Sequence, residues 1–180
     1  MHPLSDRLRG PSPTDCIAIV GMRASGKTVL GEELAKALQY DFTDTDAVFT
    51  REYGPIASFV AEHGWPHFRK HEESIVEDAL QPQAVISLGG GAVESATTRK
   101  LLQLHTTVVW IRSQVTTIIE RMRNQPVGSI RPSLTDKSLE EEIALKMAER
   151  TPHYEGIATI IVEAEQDTRE QVQNVVQSWR

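Results

Sequence analysis

Near the amino terminus, Gly21-Met22-Arg23-Ala24-Ser25-Gly26-Lys27-Thr28 has the residue types and spacing G-x-x-x-x-G-K-[ST] of a phosphate-binding loop. Backbone N–H groups of such a loop point inward and join the positive end of the following helix dipole, which makes a cradle for phosphates. Lys27 adds a point charge for the β- and γ-phosphates, and the Thr28 hydroxyl is a ligand for Mg²⁺. Further along stand Asp44 and Asp46, then Phe68-Arg69-Lys70-His71-Glu72, then three consecutive glycines, Gly89, Gly90 and Gly91. Two carboxylates side by side repel unless a cation or a substrate separates them. Three glycines directly after an apolar strand suggest a backbone that a ligand approaches closely.

The elements around these residues suit that chemistry. Cys16-Ile17-Ala18-Ile19-Val20 reads as a buried strand, and Leu30, Leu34 and Leu38 recur at helical spacing behind the loop. Further strands are expected at Tyr40–Asp46, Ala84–Leu88, Thr107–Ile111 and Ala158–Val162. On a strand, Asp44 and Asp46 would point the same way; in the alternative, one of them only caps the next helix. Helices are expected between the strands, broken near Gly54-Pro55 and Gly64-Trp65-Pro66. Leu139–Arg150 should form one, with Ser138 and Glu141 as a capping box. Alternation of strands and helices gives an α/β fold, a three-layer α/β/α arrangement around a largely parallel sheet. Residues 1–14 read as a flexible leader and 15–180 as one domain. Pro126, Gly128 and Pro132 mark a polar flap at about 123–137.

Composition narrows the class. The net charge of −6 argues against nucleic acid or an anionic membrane as partner. No apolar run reaches membrane-spanning length, and Met1–Thr14 lacks the apolar core of a secretory signal. The single cysteine, Cys16, excludes an intramolecular disulfide and is expected to be a small buried residue. A cytoplasmic protein is the natural reading. Neither the third nor the fourth apolar strand ends in the acid that motor and transport ATPases use to hold Mg²⁺, and Asn-Lys-x-Asp, a guanine-reading signature, is absent. If Mg²⁺ needs a carboxylate here, the candidates are Asp44 and Asp46. By spacing alone, Arg69 and Arg121 are solvated surface arginines.

Taken together and in order, the motifs resemble the shikimate kinase family: GMRASGKT, the DTD of Asp44–Asp46, GWPHFRKHE over Gly64–Glu72, GGG from Gly89, RPSLT from Arg131 and ERTPHY from Glu149. The likeness runs from Cys16 to about Ala164. It implies the nucleoside monophosphate kinase fold, with a five-stranded parallel sheet and a mobile lid. The implied reaction moves the γ-phosphoryl group of ATP to the 3-hydroxyl of shikimate, a step toward chorismate and the aromatic amino acids. In that reading, residues 21–29 from Gly21 to Val29 bind ATP, with Arg121 on the adenine and Arg131 reaching the phosphates from the lid. Mg²⁺ sits on Thr28 and Asp44. Arg69 and Arg150 hold the shikimate carboxylate, and Gly89, Gly90 and Gly91 offer amides to the ring. Asp46 binds ring hydroxyls and serves as base, while Glu72 orients Arg69. A monomer is expected.

Two residues depart from the family pattern. Ala24 stands where glycine is common, at a position the general loop motif leaves free. Val29 replaces a serine or threonine whose hydroxyl could contact the α-phosphate, a loss of about 1 kcal/mol. Two other readings compete: a kinase for another polyhydroxy acid such as gluconate, and a binding module that kept the fold without turnover.

Overall fold

The computed structural model describes residues 15–124 and 138–179. The expected leader 1–14, residues 125–137 of the expected lid, and Arg131 with them lie outside the described residues. Strand β1 (Cys16–Gly21) is buried along its whole length. Its alternate side chains feed two cores: Ile17 and Ile19 on one face, Ala18 and Val20 on the other. A strand apolar on both faces belongs in the middle of a covered sheet. There it pairs in parallel with β3 (Ala84–Ser87) and β4 (Thr107–Arg112). Strand β2 (Asp41–Asp44) joins β3, and β5 (Ile160–Glu163) joins β4, giving the order β2-β3-β1-β4-β5 with every pairing parallel.

Parallel neighbours need crossovers, and these build the outer layers. Helices α1 (Lys27–Leu38) and α8 (Thr168–Trp179) cover one face through Leu30, Leu34 and Val175. The other face is covered by α5 (Ala96–His105), α6 (Val115–Arg123) and α7 (Leu139–Ile157), which contribute Leu102, Ile118, Ile143 and Tyr154. Between β2 and β3, α2 (Thr45–Tyr53), α3 (Ile56–His63) and α4 (Trp65–Ala79) form a smaller unit with its own core. Phe49 packs edge-on to Phe59 and Phe68, with ring centroids 5.1 and 4.8 Å away. Gly54 and Gly64, at φ 85° and 81°, allow the chain to turn at both ends of α3, where the sequence predicted breaks.

Topology fixes where a ligand can bind. The chain leaves β1 toward β2, beyond β3, but leaves β3 across β1 toward β4. Connections that depart in opposite directions from neighbouring strands open a crevice at their carboxyl ends. The phosphate-loop motif follows β1 and the three glycines follow β3, so both motifs flank that crevice.

Three sequence expectations need correction. β2 stops at Asp44, because that side chain caps α2 and accepts from the N–H groups of Asp46 and Ala47. Asp46 is therefore in the first helical turn, and the two aspartates do not share a strand face. Helix α7 does not end at Arg150 but continues through Pro152 to Ile157. The proline removes one backbone bond, yet the turn beyond it is held by burial of Tyr154 and Ile157 in the core. Consequently β5 begins at Ile160 rather than Ala158. The Ser138–Glu141 capping box forms as predicted, and Cys16 is buried, its thiol pushed up to about 11 by burial.

Gly31 lets α1 lie against β2, since a side chain there would overlap the Phe42 ring. Gly31→Ala should destabilise the chain by about 1–3 kcal/mol in denaturant unfolding. Adding Phe42→Leu should recover part of that loss, a non-additivity expected only of residues in contact. Fully additive losses would contradict this packing.

Candidate active site

The loop after β1 is braced from three directions. Ser25 N–H donates to the Met22 carbonyl at 3.2 Å, and Lys27 Nζ donates to the same carbonyl at 2.8 Å. Arg121 of α6 donates to the carbonyls of Ala24 at 3.3 Å, Ser25 at 2.9 Å and Ala164 at 2.5 Å. It is thus no surface arginine, because its guanidinium ties the loop to the segment after β5. A cavity of about 480 Å³ lies over this corner, lined by Gly26, Lys27, Thr28, Val29 and Arg121 together with Gln166. The segment after β5 (Ala164, Gln166, Thr168) had no motif to announce it. Only its place at the carboxyl edge of the sheet could have signalled it.

Ala24 has φ 59°. A residue with a Cβ pays on the order of 1 kcal/mol there, whereas glycine does not. Position 24 is therefore not sterically free, contrary to the general motif. Val29 is 55% exposed and presents an apolar surface to the cavity.

Thr28 Oγ1 donates to Asp44 Oδ2 at 2.7 Å, while Asp44 Oδ1 accepts the Asp46 and Ala47 N–H groups at 3.0 and 3.1 Å. One carboxylate thus caps α2 with one oxygen and meets the phosphate loop with the other. Among the described residues no cluster of three or more His, Cys, Asp or Glu could hold a metal. Mg²⁺ commonly takes only one or two protein oxygens and fills its remaining positions with phosphates and water. The Thr28–Asp44 pair fits that donor set.

On the other side of the loop is a second cavity, of about 350 Å³, lined by Met22, Arg23, Arg69, Gly90, Gly91 and Arg150 among others. Met22 and Arg23, expected with the nucleotide, therefore face this cavity. The glycine triad is packed against charge. A Cβ on Gly89 would come within 2.8 Å of Asp46 Oδ1 and 2.6 Å of Glu72 Oε1. On Gly90 it would meet Arg23 N at 3.0 Å, and on Gly91 it would overlap Arg69 and come within 3.0 Å of Arg150 Nη2. The triad is small because charged side chains of α2, α4 and α7 crowd Gly89 and Gly91, while the backbone of the phosphate loop crowds Gly90. Tyr154, buried on α7, donates to the Gly90 carbonyl at 2.6 Å, and burial pushes its phenol up in pKa.

Arg69 is buried enough to depart from the surface reading: its side chain is 22% exposed and that of Arg150 10%. Arg69 Nη1 donates to Glu72 Oε2 at 2.5 Å. Its Nη2 donates to Glu94 Oε2 at 3.0 Å, and Arg150 Nε donates to Glu94 Oε1 at 2.8 Å. Glu94 thus bridges the two arginines, and sequence reasoning missed it. Its sole signal was an acid three residues past the triad. Burial pushes the Glu94 carboxyl up, but the charge and hydrogen bond of Arg150, then Arg69 and Lys146, outweigh this and hold it below the usual range.

Comparison with known proteins comes to the same point. A family model described as shikimate kinase matches residues 23–180. Shikimate kinase 2 of Yersinia enterocolitica is 35% identical over 164 residues, covering 91% of this chain and 94% of the relative. Among solved structures, a shikimate kinase from Acinetobacter baumannii in complex with shikimate superposes with a TM-score of 0.84 at 27% identity, over 91% of each chain. A gluconokinase from Sinorhizobium meliloti, at 19% identity and TM-score 0.60 over 92% of this chain and 91% of its own, shares the fold alone.

The two oxygens of Asp44 can be separated by substitution. Asp44→Ala should cost about 1 kcal/mol of stability through the lost cap, whereas Asp44→Asn, itself a good cap, should cost only a few tenths. Thermal unfolding that ranks the two variants equally would contradict the capping role.

Proposed function

The chain belongs to the shikimate kinase family, and on that premise we propose how its crevice divides the work. The reaction is transfer of the γ-phosphoryl group of ATP to the 3-hydroxyl of shikimate, giving shikimate 3-phosphate and ADP. Phosphoryl transfer asks a protein chiefly to align two reactants and neutralise charge. The observation that carries the reading is the crossing of two cavities at one loop: Met22 and Arg23 face one, Gly26–Val29 the other.

ATP lies in the cleft between the phosphate loop and the segment after β5, with its adenine beside Arg121 and its phosphates under the N–H groups of residues 23–28. Lys27 exchanges the Met22 carbonyl for the terminal phosphates. Thr28 and Asp44 would hold Mg²⁺, which would supply neutralisation of phosphate charge when bound. Arg131, outside the described residues, keeps the phosphate-facing role that the family resemblance implies. Shikimate occupies the second cavity, its carboxylate on the guanidiniums of Arg69 and Arg150 through charge-assisted bonds. Glu72, buried beside Arg69, holds that arginine in place. Asp46, in the first turn of α2 and beside Gly89, orients the ring hydroxyls and accepts the proton of the attacking one. Such a division works in a monomer. No helix among the described residues is long and apolar enough to cross a membrane.

ADP release measured with ATP and a panel of acids should depend on shikimate and not on gluconate; shikimate binding without ADP release would favour a binding module instead. Asp46→Asn should raise the barrier by about 2–4 kcal/mol, and a kcat close to that of the parent would remove Asp46 as the base. Arg69→Ala should act mainly on the KM for shikimate. An unchanged KM would separate Arg69 from the carboxylate.

A further inference from the structure

Glu94 sits at the end of a short 3-10 turn, Ala92–Glu94, directly after the glycine triad. Its backbone is fixed on both sides. The Glu94 N–H donates to the Gly91 carbonyl at 3.0 Å, and Arg99 Nη1 donates to the carbonyls of Val93 at 2.6 Å and Glu94 at 3.0 Å. Ser95, the next residue, caps α5 and donates to Glu73 Oε1 at 2.5 Å. The side chain is less confined, being 36% exposed. A rotation about its own bonds moves the carboxylate toward water while the backbone stays clamped.

What that carboxylate touches is unusual for a surface acid. Each of its oxygens accepts from a different guanidinium, Oε1 from Arg150 and Oε2 from Arg69. This is the arrangement a bound carboxylate ligand would adopt on the same pair. Lys146, which also lines the cavity, adds a third cation to the field around Glu94. Like-charged groups gathered this closely require a counter-charge, and Glu94 provides one from within the chain.

We infer that Glu94 is an internal carboxylate that occupies the arginine pair until an acid substrate displaces it, and that it thereby sets the affinity and the charge selectivity of this subsite. The inference rests on the reading above that Arg69 and Arg150 receive the substrate's carboxylate. An incoming carboxylate exchanges one anion for another and keeps the subsite neutral. A neutral polyol brings no replacement charge, so it leaves Glu94 on the arginines and finds no free cation there. The occupancy of Glu94 reduces apparent substrate affinity by the fraction of time the pair is engaged.

The test is steady-state ADP release by the full chain and by Glu94→Gln and Glu94→Ala, with shikimate and ATP varied in turn. The KM for shikimate should fall about three- to tenfold in both variants, as expected when the competing internal group engages the pair most of the time. The KM for ATP, whose cavity Glu94 does not line, should move by less than about twofold. Glu94→Asp, too short to span both arginines, should lie between. Shikimate-dependent turnover with an unchanged or raised KM for shikimate in both Gln and Ala variants overturns this inference alone; a raised value would make Glu94 a positioning residue for the arginines. Failure of the parent chain to release ADP with shikimate sinks the functional reading, and this inference with it.

Discussion

Two guanidinium groups crowd one backbone position at the carboxyl end of β3, and much of the fold exists to make that arrangement stable. Arg69 and Arg150 both come so close to Gly91 that a side chain there would have to displace a guanidinium. Unit charges of like sign about 6 Å apart repel by about 3 kcal/mol at an effective dielectric near 20. Glu72, 5% exposed, and Glu94 absorb that repulsion. Arg69 is aimed by α4, which is anchored by the aromatic cluster of Phe49, Phe59 and Phe68. Arg150 is aimed by α7, and the turn that carries the helix past Pro152 also seats Tyr154 against Gly90. Lengthening any of the three glycines would push apart groups that come from different elements.

The second organising feature is the opposed departure of the chain from β1 and β3. It opens one crevice in which the phosphate loop has a cavity on each side, and Asp44 joins the loop to the cap of α2 through its two oxygens. On the proposed reading, the nucleotide side and the acid side of the loop are joined by short, braced segments. Arg121 extends the same bracing to the end of β5. The chemistry depends on alignment, and rigid loops on a central buried strand supply it.

Much of this was legible in the residues. β1, its loop and α1 announced themselves because motif, strand pattern and helix pattern agree locally. The five-stranded parallel sheet followed from the alternation of elements and from the family likeness. What escaped was decided either at an element boundary or by contacts distant in sequence. Asp44 and Asp46 read as strand neighbours because strand and helix-cap patterns overlap at a boundary, and only the side-chain bonds to Asp46 and Ala47 settle where β2 ends. The helix from Leu139 was expected only as far as Arg150, because local pattern does not see the core that Tyr154 and Ile157 fill. Glu94 carried no motif at all, since its role comes from two arginines 25 and 56 residues away in the chain. Arg121 read as a surface residue because nothing local shows that three backbone carbonyls surround it.

The proposed function requires one crevice in which an acid and a nucleotide meet. A crystal structure of the chain with shikimate, ADP and Mg²⁺ tests it most directly. It should show the shikimate carboxylate on Arg69 and Arg150, a ring hydroxyl beside Asp46, the nucleotide phosphates on residues 23–28, and the Glu94 side chain turned away from the arginines. Shikimate bound elsewhere on the surface, with Glu94 still bridging Arg69 and Arg150, would contradict it.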